Sequence, residues 1–504
     1  AKASVGPDEF ISFCARLSKS PAIFLLARSH EKGYRTQFAA TLARESQASG
    51  LDFGPNPFPE FVKRCKMHAS NNRFPERLRS ALAARSKKAQ LRRRAHKSFV
   101  SKVGLSRTPN PERIKQLEET TPTIYLGKLK SAYPELFHWI CENEEIMDGN
   151  EYFVKYERQA DRRLSRRDML LENPAKLAHV VRADENAIIR DSDTGKIVAF
   201  VLRDFCGDAE VLEGLNGTIA ESVSMRVNIR KEDTGKLVLT GYSAGSRSHP
   251  TFDWMRNLQS KKTSAEAAAS NDMAISSAFA LFWNLMRARL PDELLESCDA
   301  YLAENGFCRM DGNRTMGAGS DGRGSYFVQK GGQVIEFQNE ELAPPAGVMG
   351  VNYASRSIHW EHHPYPYGYS WTTGRNTDGG GNFYIASHGV KIEQAPDTFI
   401  AWMPRLPHGT SMLNCDPKQT GPPHAQLGLS IVGSMRLAST WQRYCEGQLT
   451  VGAAVREYAQ DMEHGIYLHQ TLSSELARDR AALLSDAPRV QNTSGTAQMT
   501  WIVL

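Results

Sequence analysis

Residues 357–411 have the sequence SIHWEHHPYPYGYSWTTGRNTDGGGNFYIASHGVKIEQAPDTFIAWMPRLPHGTS, and this stretch decides the fold. Its segments are short and either apolar or alternating in polarity, and Gly, Pro, Asn and Asp separate them. Such a succession of short strands and tight turns is typical of an all-β barrel or jelly roll. The same pattern extends over residues 325–444, so we predict a β-rich core there.

Three residues of this stretch form a candidate metal site. His359 and Glu361 are two positions apart, so on a strand their side chains point to the same side. His408 follows after two further predicted strands, where the chain can fold back alongside. Two imidazoles and one carboxylate suit ferrous iron that activates oxygen, because three ligands on one face leave positions open on the other.

Two consecutive helices and a β-hairpin are predicted upstream of the β-rich core. Residues 271–289 are rich in Ala with a nearly continuous apolar run, and residues 292–304 follow Pro291 and end at Asn305-Gly306. We expect this pair to brace one face of the β-rich core. Farther upstream, residues 187–190 and 196–202 flank the turn Asp193-Thr194-Gly195, which predicts a β-hairpin.

A second hairpin is predicted from an alternating pattern. Val223, Met225, Val227 and Ile229 alternate with polar residues, which is typical of a strand, and residues 237–239 provide the return strand. Residues 241–257 are rich in Gly, Ser and aromatic side chains, and we interpret them as a loop.

The N-terminal region is strongly basic. Residues 1–107 carry 22 Lys and Arg against 7 Asp and Glu, although the net charge of the whole chain is only +6. Seven of these cations lie on one predicted helix: Arg85, Lys87, Lys88, Arg92, Arg93, Arg94 and Lys97. Such a cluster can neutralise phosphates or act as a nuclear-import signal. The alternative interpretation is a solvated helix face without a partner. We expect nucleic acid as the partner, duplex DNA in particular, and a nuclear or cytoplasmic location, of which the nucleus is favoured.

Composition excludes other classes. The eight cysteines are scattered without any CxxC pair, which indicates reduced thiols rather than a zinc finger. The longest apolar runs are far too short to span a bilayer, and the first residues lack the pattern of a signal peptide, so we expect no membrane association.

These elements predict an α+β protein in four parts. Residues 1–120 form a basic, mainly helical N-terminal region, and residues 121–260 form a mixed α/β segment with hairpins. Residues 261–482 form a helix-braced barrel or jelly roll with a C-terminal helix from residue 450, and residues 483–504 form a tail.

The core resembles the Fe(II)/2-oxoglutarate-dependent dioxygenases of the double-stranded β-helix fold, and among them the fungal relatives of the TET/JBP nucleic-acid base oxygenases. The resemblance covers residues 352–441 and depends on His359-Trp360-Glu361, the GGGNFY strand from residue 379, the Pro396-Asp397-Thr398 turn and the HGTS sequence from residue 408. It implies Fe(II) bound by the three candidate ligands, 2-oxoglutarate in the open positions, and hydroxylation of the methyl group of a modified base.

The chain departs from this family at two places. Glu361 replaces the usual aspartate, and the closing strand around residues 426–430 has no basic residue for the far carboxylate of 2-oxoglutarate. We assign Arg436 or His424, the nearest cations, to that role, together with Ser430.

Aromatic and polar residues after the iron motif are candidates for binding substrate. Tyr367, Tyr369 and Trp371 alternate and could form a wall that stacks on a flipped base, or could pack a half-buried strand. Arg375 and Asn376 could contact a phosphate or a base edge, or stabilise a turn. His362 and His363 are interpreted as solvated loop residues rather than ligands.

Two alternatives to a base oxygenase remain open. The departures from the family pattern are also those of an inactive β-helix that binds nucleic acid or protein. An oxygenase of a protein side chain or small metabolite would keep the iron site and use the basic region only for localisation.

Overall fold

The computed structural model describes residues 6–30, 32–105, 111–157, 168–229, 233–245, 250–255, 264–313, 320–353, 356–377 and 379–449. It divides into two compact units, the first ending at Lys102 and the second beginning at Val103. Helices are combined with large β-sheets, which confirms the α+β class. Among the described helices, none is both long enough and apolar enough to cross a membrane.

The first unit is helical. Its helices are α1 (Pro7–Leu17), α2 (Ala22–Arg28), α3 (Lys32–Ala48), α4 (Pro57–His68) and α5 (Glu76–Val103), the last residue of which starts the second unit. Their apolar faces enclose an aromatic core that includes Phe10, Phe13, Phe38, Phe53 and Phe61. Pro57 begins α4, where its missing N–H leaves no hydrogen bond unmade. The predicted basic helix is therefore α5.

The second unit contains the sheets and the helices that pack on them. The helices are α6 (Pro111–Thr120), α7 (Glu144–Tyr152), α8 (Ala209–Ser224), α9 (Ala265–Arg289), α10 (Asp292–Glu304) and α11 (Met435–Cys445). The strands before the core are β1 (Thr123–Leu126), β2 (Trp139–Cys141), β3 (Met169–Leu171), β4 (His179–Val181), β5 (Ala187–Asp191), β6 (Ile197–Leu202), β7 (Lys236–Gly245), β8 (Pro250–Trp254), β9 (Arg323–Lys330) and β10 (Gln333–Glu341). The strands of the core are β11 (Ala346–Val351), β12 (Arg356–His359), β13 (Gly368–Arg375), β14 (Phe383–Ile385), β15 (Val390–Ile392), β16 (Thr398–Trp402), β17 (His408–Thr410) and β18 (Gln426–Ile431).

Two sheets organise the second unit. The large sheet has nine strands in the order β1-β5-β6-β16-β13-β18-β11-β7-β8, and the small sheet has five in the order β12-β17-β14-β15-β4. Apolar side chains from both sheets form one cluster, among them Val201 and Ile400 of the large sheet and Phe383 and Ile392 of the small one. The two sheets therefore pack face to face through this cluster.

The other face of the large sheet is covered by α9. Phe282 of this helix contacts Trp371 and Phe399 at ring-centroid distances of 5.6 and 6.1 Å. Gly347 of β11 permits the close approach, because an added Cβ would lie 2.4 Å from Cε1 of Phe279. The predicted helices at 271–289 and 292–304 are confirmed as α9 and α10, and the predicted hairpin is confirmed as β5–β6.

Two local predictions are wrong. Residues 223–229 do not form a strand, because α8 extends to Ser224; it is capped by Asp208 and buries Val211, Leu215 and Ile219 at helical spacing. Residues 241–257 are not one loop, because β7 continues to Gly245 and pairs with β8. The predicted C-terminal helix and tail, residues 450–504, lie outside the described residues. The proposed boundaries between domains stay a prediction.

Candidate metal centre

Strand pairing brings the two candidate histidine ligands together. His359 ends β12 and His408 begins β17, and the two residues are direct partners in this antiparallel pair. Their ring centroids are 4.5 Å apart. Both side chains are buried, with exposed fractions of 7% and 3%. The sheet register therefore sets the spacing of the two imidazoles.

Hydrogen bonds fix the tautomer of both rings. Nδ1 of His359 lies 2.7 Å from the carbonyl oxygen of Ser357, and Nδ1 of His408 lies 2.8 Å from that of Leu406. A carbonyl oxygen only accepts, so each Nδ1 carries a proton and donates it. In the neutral ring each Nε2 then presents its lone pair, which is the arrangement that metal-binding histidines adopt.

Glu361 completes the group. It follows the end of β12, and its backbone N–H donates to the carbonyl of Pro404 at 2.7 Å, which holds this segment beside the small sheet. Its Oε1 lies 3.4 Å from Nε2 of His359. One ligand atom each from His359, Glu361 and His408 lies within 4.8 Å of the others.

These residues fit a ferrous ion. Two neutral imidazoles and one carboxylate are the ligand types of oxygen-activating non-haem iron, and the closeness of their donor atoms lets one ion contact all three. The backbone carbonyls behind the rings orient both imidazoles before any metal binds. The three residues that the sequence analysis assigned to iron thus lie together.

A cavity of about 190 Å³ adjoins this group and lies between the two sheets. Its walls include the three candidate ligands and, from the large sheet, Ser370, Thr372, Gln426 and Ser430 together with Gln394. Among the described residues that line it there is no Lys or Arg. The cavity is polar near these hydroxyl and amide groups but carries no positive charge from its described lining.

The two cations assigned to 2-oxoglutarate lie elsewhere. The guanidinium of Arg436 donates to the carbonyl oxygens of Ala244 and Gly245, each at 3.1 Å, and neither Arg436 nor His424 lines the cavity. Burial lowers the pKa of His424, which disfavours its charged form. Ser430 is thus the one member of that set on the described cavity wall, and a role of Arg436 or His424 in binding 2-oxoglutarate stays a prediction.

Ser430 lies opposite a second serine, Ser370, which the sequence did not single out. In the register of β13 and β18, Ser370 is the direct partner of Ser430, and both line the cavity. Neither hydroxyl forms a hydrogen bond to another residue in the described part of the chain. Nearby, the Thr372 hydroxyl donates to Oε1 of Gln394 at 3.0 Å, which fixes the side-chain amide of Gln394 on the same wall.

The aromatic residues assigned to substrate binding pack elsewhere. The hydroxyl of Tyr369 donates to the carbonyl of Leu294 in α10 at 2.6 Å, and the indole of Trp371 donates to Asp397 at 2.9 Å and contacts Phe282. Burial raises the pKa of Tyr367 to about 12. Trp371 borders the cavity, but alternation along β13 places Tyr369 and Trp371 on the helix-covered face, where their rings make the contacts described above. A stacking role for these rings stays a prediction.

Arg375 and Asn376 differ in exposure: the Arg375 side chain is hydrogen-bonded within the fold, and the Asn376 side chain is exposed. The guanidinium of Arg375 donates to Oε1 of Gln426 at 2.5 Å and to the carbonyl of Gly380 at 2.7 Å. Burial lowers its pKa. Asn376 is exposed, and its backbone N–H donates to the carbonyl of Ala425 at 2.7 Å. Arg375 therefore braces the β18 end of the cavity wall, and nothing in its contacts assigns it to substrate.

His363 is not the solvated residue that the sequence analysis expected. Its exposed fraction is 1%, and its Nε2 lies 4.0 Å from Oε2 of Glu361. Burial lowers the pKa of His363 to about 4, although the nearby Glu361 carboxylate acts in the opposite direction. His362, the preceding residue, is exposed and packs its ring against Trp360.

Comparison with known proteins assigns no family. No protein-family model and no curated protein matches this chain. Among solved structures, NgTET1 in complex with 5mC DNA is similar with a TM-score of 0.29 and 10% sequence identity, over 59% of this chain and 93% of that chain. A function for this chain therefore has to be inferred from the geometry of its site and not from this remote similarity.

Proposed function

We propose that this chain is an Fe(II)-dependent dioxygenase that uses 2-oxoglutarate as co-substrate and hydroxylates a C–H bond. The observation that carries the proposal is the ligand set: two imidazoles with their Nδ1 protons fixed by backbone carbonyls, and one carboxylate within 4.8 Å. When bound, Fe(II) and 2-oxoglutarate would supply the oxygen activation that no side chain provides.

The strand order supports a double-stranded β-helix core. Among β11–β18, four strands belong to the large sheet in the order β16-β13-β18-β11, and four belong to the small sheet in the order β12-β17-β14-β15. The chain therefore passes repeatedly between the two sheets, as in a jelly roll, and the candidate ligands lie on β12, β17 and the segment just after β12.

The chain's own residues would perform two tasks. His359, Glu361 and His408 would hold the metal at the edge of the small sheet. The hydroxyls of Ser370 and Ser430 would donate to the far carboxylate of the co-substrate, because both line the same cavity and have no other partner in the described residues. A carboxylate can be held by several neutral donors without a cation.

A modified base in duplex DNA is the substrate that we propose, and α5 supplies the affinity. Arg85 and Arg92 of the basic cluster have structural contacts, with the ring of Phe58 and the carbonyl of His30 respectively. The other five cations are exposed and form no ion pair with the described residues: Lys87, Lys88, Arg93, Arg94 and Lys97. Such a cluster suits a polyanion and also supports a nuclear location.

A salt titration tests the DNA contact. Replacing Lys87 and Arg94 by Gln should lower the slope of log affinity against log salt concentration by about 2, because each phosphate contact contributes about 0.9. A matched control is Lys63→Gln with Lys66→Gln, since both lysines are exposed on α4. An equal loss in both double variants would show that α5 is not the contact surface.

Product analysis tests the chemistry. The protein is incubated with Fe(II), 2-oxoglutarate, oxygen and duplex DNA that contains methylated bases, and the digested bases are analysed by mass spectrometry. We expect a hydroxylated base with the wild type and none with His408→Ala. Oxidation of 2-oxoglutarate to succinate without any altered base would retain the dioxygenase and reject DNA as its substrate.

The lack of a Lys or Arg in the described lining of the cavity favours a second candidate, an inactive β-helix that binds nucleic acid. The described lining has no Lys or Arg to balance the second carboxylate of 2-oxoglutarate. This candidate predicts DNA binding that His359→Ala leaves unchanged, together with no succinate and no altered base under any condition. Succinate formed by the wild type would reject it.

A further inference from the structure

His363 is a buried histidine that lies beside the candidate metal ligands. It follows Glu361 by two residues and has an exposed fraction of 1%. Within the described residues, neither Nδ1 nor Nε2 of His363 has a hydrogen-bond partner. Its ring contacts Tyr365 edge-on at 5.9 Å. A buried polar ring that lacks partners destabilises the fold, so its presence calls for an explanation.

The carboxylate of Glu361 lies close to two imidazoles, those of His359 and His363. Its Oε1 is 3.4 Å from Nε2 of His359, and its Oε2 is 4.0 Å from Nε2 of His363. The second distance exceeds a hydrogen bond by about 1 Å. A small rotation of the Glu361 side chain, or of the His363 ring, would therefore convert this contact into a charge-assisted hydrogen bond.

We infer that His363 is a positioning residue: when a metal is bound, its Nε2–H donates to Oε2 of Glu361 and so directs Oε1 towards His359 and His408. This inference rests on the proposed metal site. A glutamate has one more rotatable bond than the aspartate usual in such ligand sets, so it has more conformations to lose when it binds a metal. A donor on its outer oxygen restricts that freedom, as hydrogen-bond partners behind other carboxylate ligands do.

We expect one substitution of His363 to weaken metal binding without lowering the stability of the metal-free protein. His363→Phe keeps a ring of similar size and removes both polar nitrogens. The metal-free variant should unfold at the same or a higher denaturant concentration than the wild type, because a buried polar group without partners has been removed. The same variant should bind Co(II) about 10–100-fold more weakly, because Glu361 loses the donor on its outer oxygen.

Further variants show through which atom His363 acts. His363→Gln places an amide donor near the position of Nε2 and should recover most of the Co(II) affinity. His362→Phe, a change of the exposed neighbouring histidine, should leave affinity unchanged. In a Glu361→Ala background, His363→Phe should cause no further loss, because its effect passes through the carboxylate. Co(II) binding is followed by the visible absorption of the ion, which also reports its coordination.

Each contrary result has a defined meaning. Wild-type affinity in His363→Phe, or an equal loss in the Glu361→Ala background, would overturn the inference, and the second result would make His363 itself a ligand. A lower unfolding midpoint of metal-free His363→Phe would assign it a structural role instead. If wild-type Co(II) binding were unaffected by His408→Ala, the metal site would fail. If His408→Ala abolished binding and His363→Phe did not weaken it, only this inference would fail.

Discussion

The two faces of β13 have different surroundings although their residues alternate in one short sequence. On one face, Tyr369 and Trp371 are fully buried against α10 and α9, where they make hydrogen bonds and ring contacts. On the other face, Ser370 and Thr372 line the cavity beside the candidate ligands. The contrast shows that the aromatic residues support the sheet and that the small polar residues form the candidate site.

The largest expected effect is on the helix face. Trp371→Ala should lower the free energy of unfolding by about 3–5 kcal/mol, because it leaves a cavity among Phe205, Phe282 and Phe399 and removes a donor to buried Asp397. Chemical denaturation of the metal-free protein measures the change. A loss below about 1 kcal/mol would mean that the indole is not packed against α9.

An intermediate effect is expected on the cavity face. Ser370→Ala combined with Ser430→Ala should weaken 2-oxoglutarate binding about tenfold, since two hydrogen bonds are lost, each contributing about 0.5–1.5 kcal/mol. Binding to the Co(II)-loaded protein is measured by calorimetry, and the free energy of unfolding should change by less than about 0.5 kcal/mol. Ser439→Ala is the control, because Ser439 is exposed on α11. Unchanged 2-oxoglutarate affinity would remove these hydroxyls from the proposed subsite.

The smallest expected effect returns to the helix face. Tyr369→Phe removes the hydrogen bond to the Leu294 carbonyl and keeps the ring, so the free energy of unfolding should fall by about 1 kcal/mol. The affinity for 2-oxoglutarate should stay at the wild-type value. A large loss of co-substrate affinity without any loss of stability would place Tyr369 in the site and reverse the assignment of the two faces.

Local sequence patterns predicted helices and hairpins better than they predicted pairing between strands that are distant in sequence. The Ala-rich run and Pro291 defined α9 and α10, and the Asp-Thr-Gly turn defined the β5–β6 hairpin, because these depend on neighbouring residues. The alternation at residues 223–229 was misinterpreted because the helical spacing of Val211, Leu215 and Ile219 extends almost to that point. Residues 237–239 were predicted as a strand, but the continuation of β7 to Gly245 and strand β8 were not, because β7 depends on pairing with distant β11.

In the candidate site, the three candidate metal ligands were predictable from the sequence, but the residues that surround them were not. The spacing of His359 and Glu361 and the later His408 identified three residues that the fold brings together. The alternation along β13 was visible in the sequence, but which face meets the cavity depends on long-range packing of α9 and the small sheet. The burial of His363 likewise follows from tertiary packing, which a residue's own neighbours in sequence do not specify.

The central claim is that His359, Glu361 and His408 form one iron site. Its most direct test is an anaerobic titration of the protein with Fe(II) in the presence of 2-oxoglutarate, followed by the visible charge-transfer absorption that chelation produces. We expect one equivalent of Fe(II) with a distinct band in the wild type, and loss of the band in His359→Ala and His408→Ala while the metal-free fold is retained. A wild type without the band, or a band that survives His408→Ala, would contradict it.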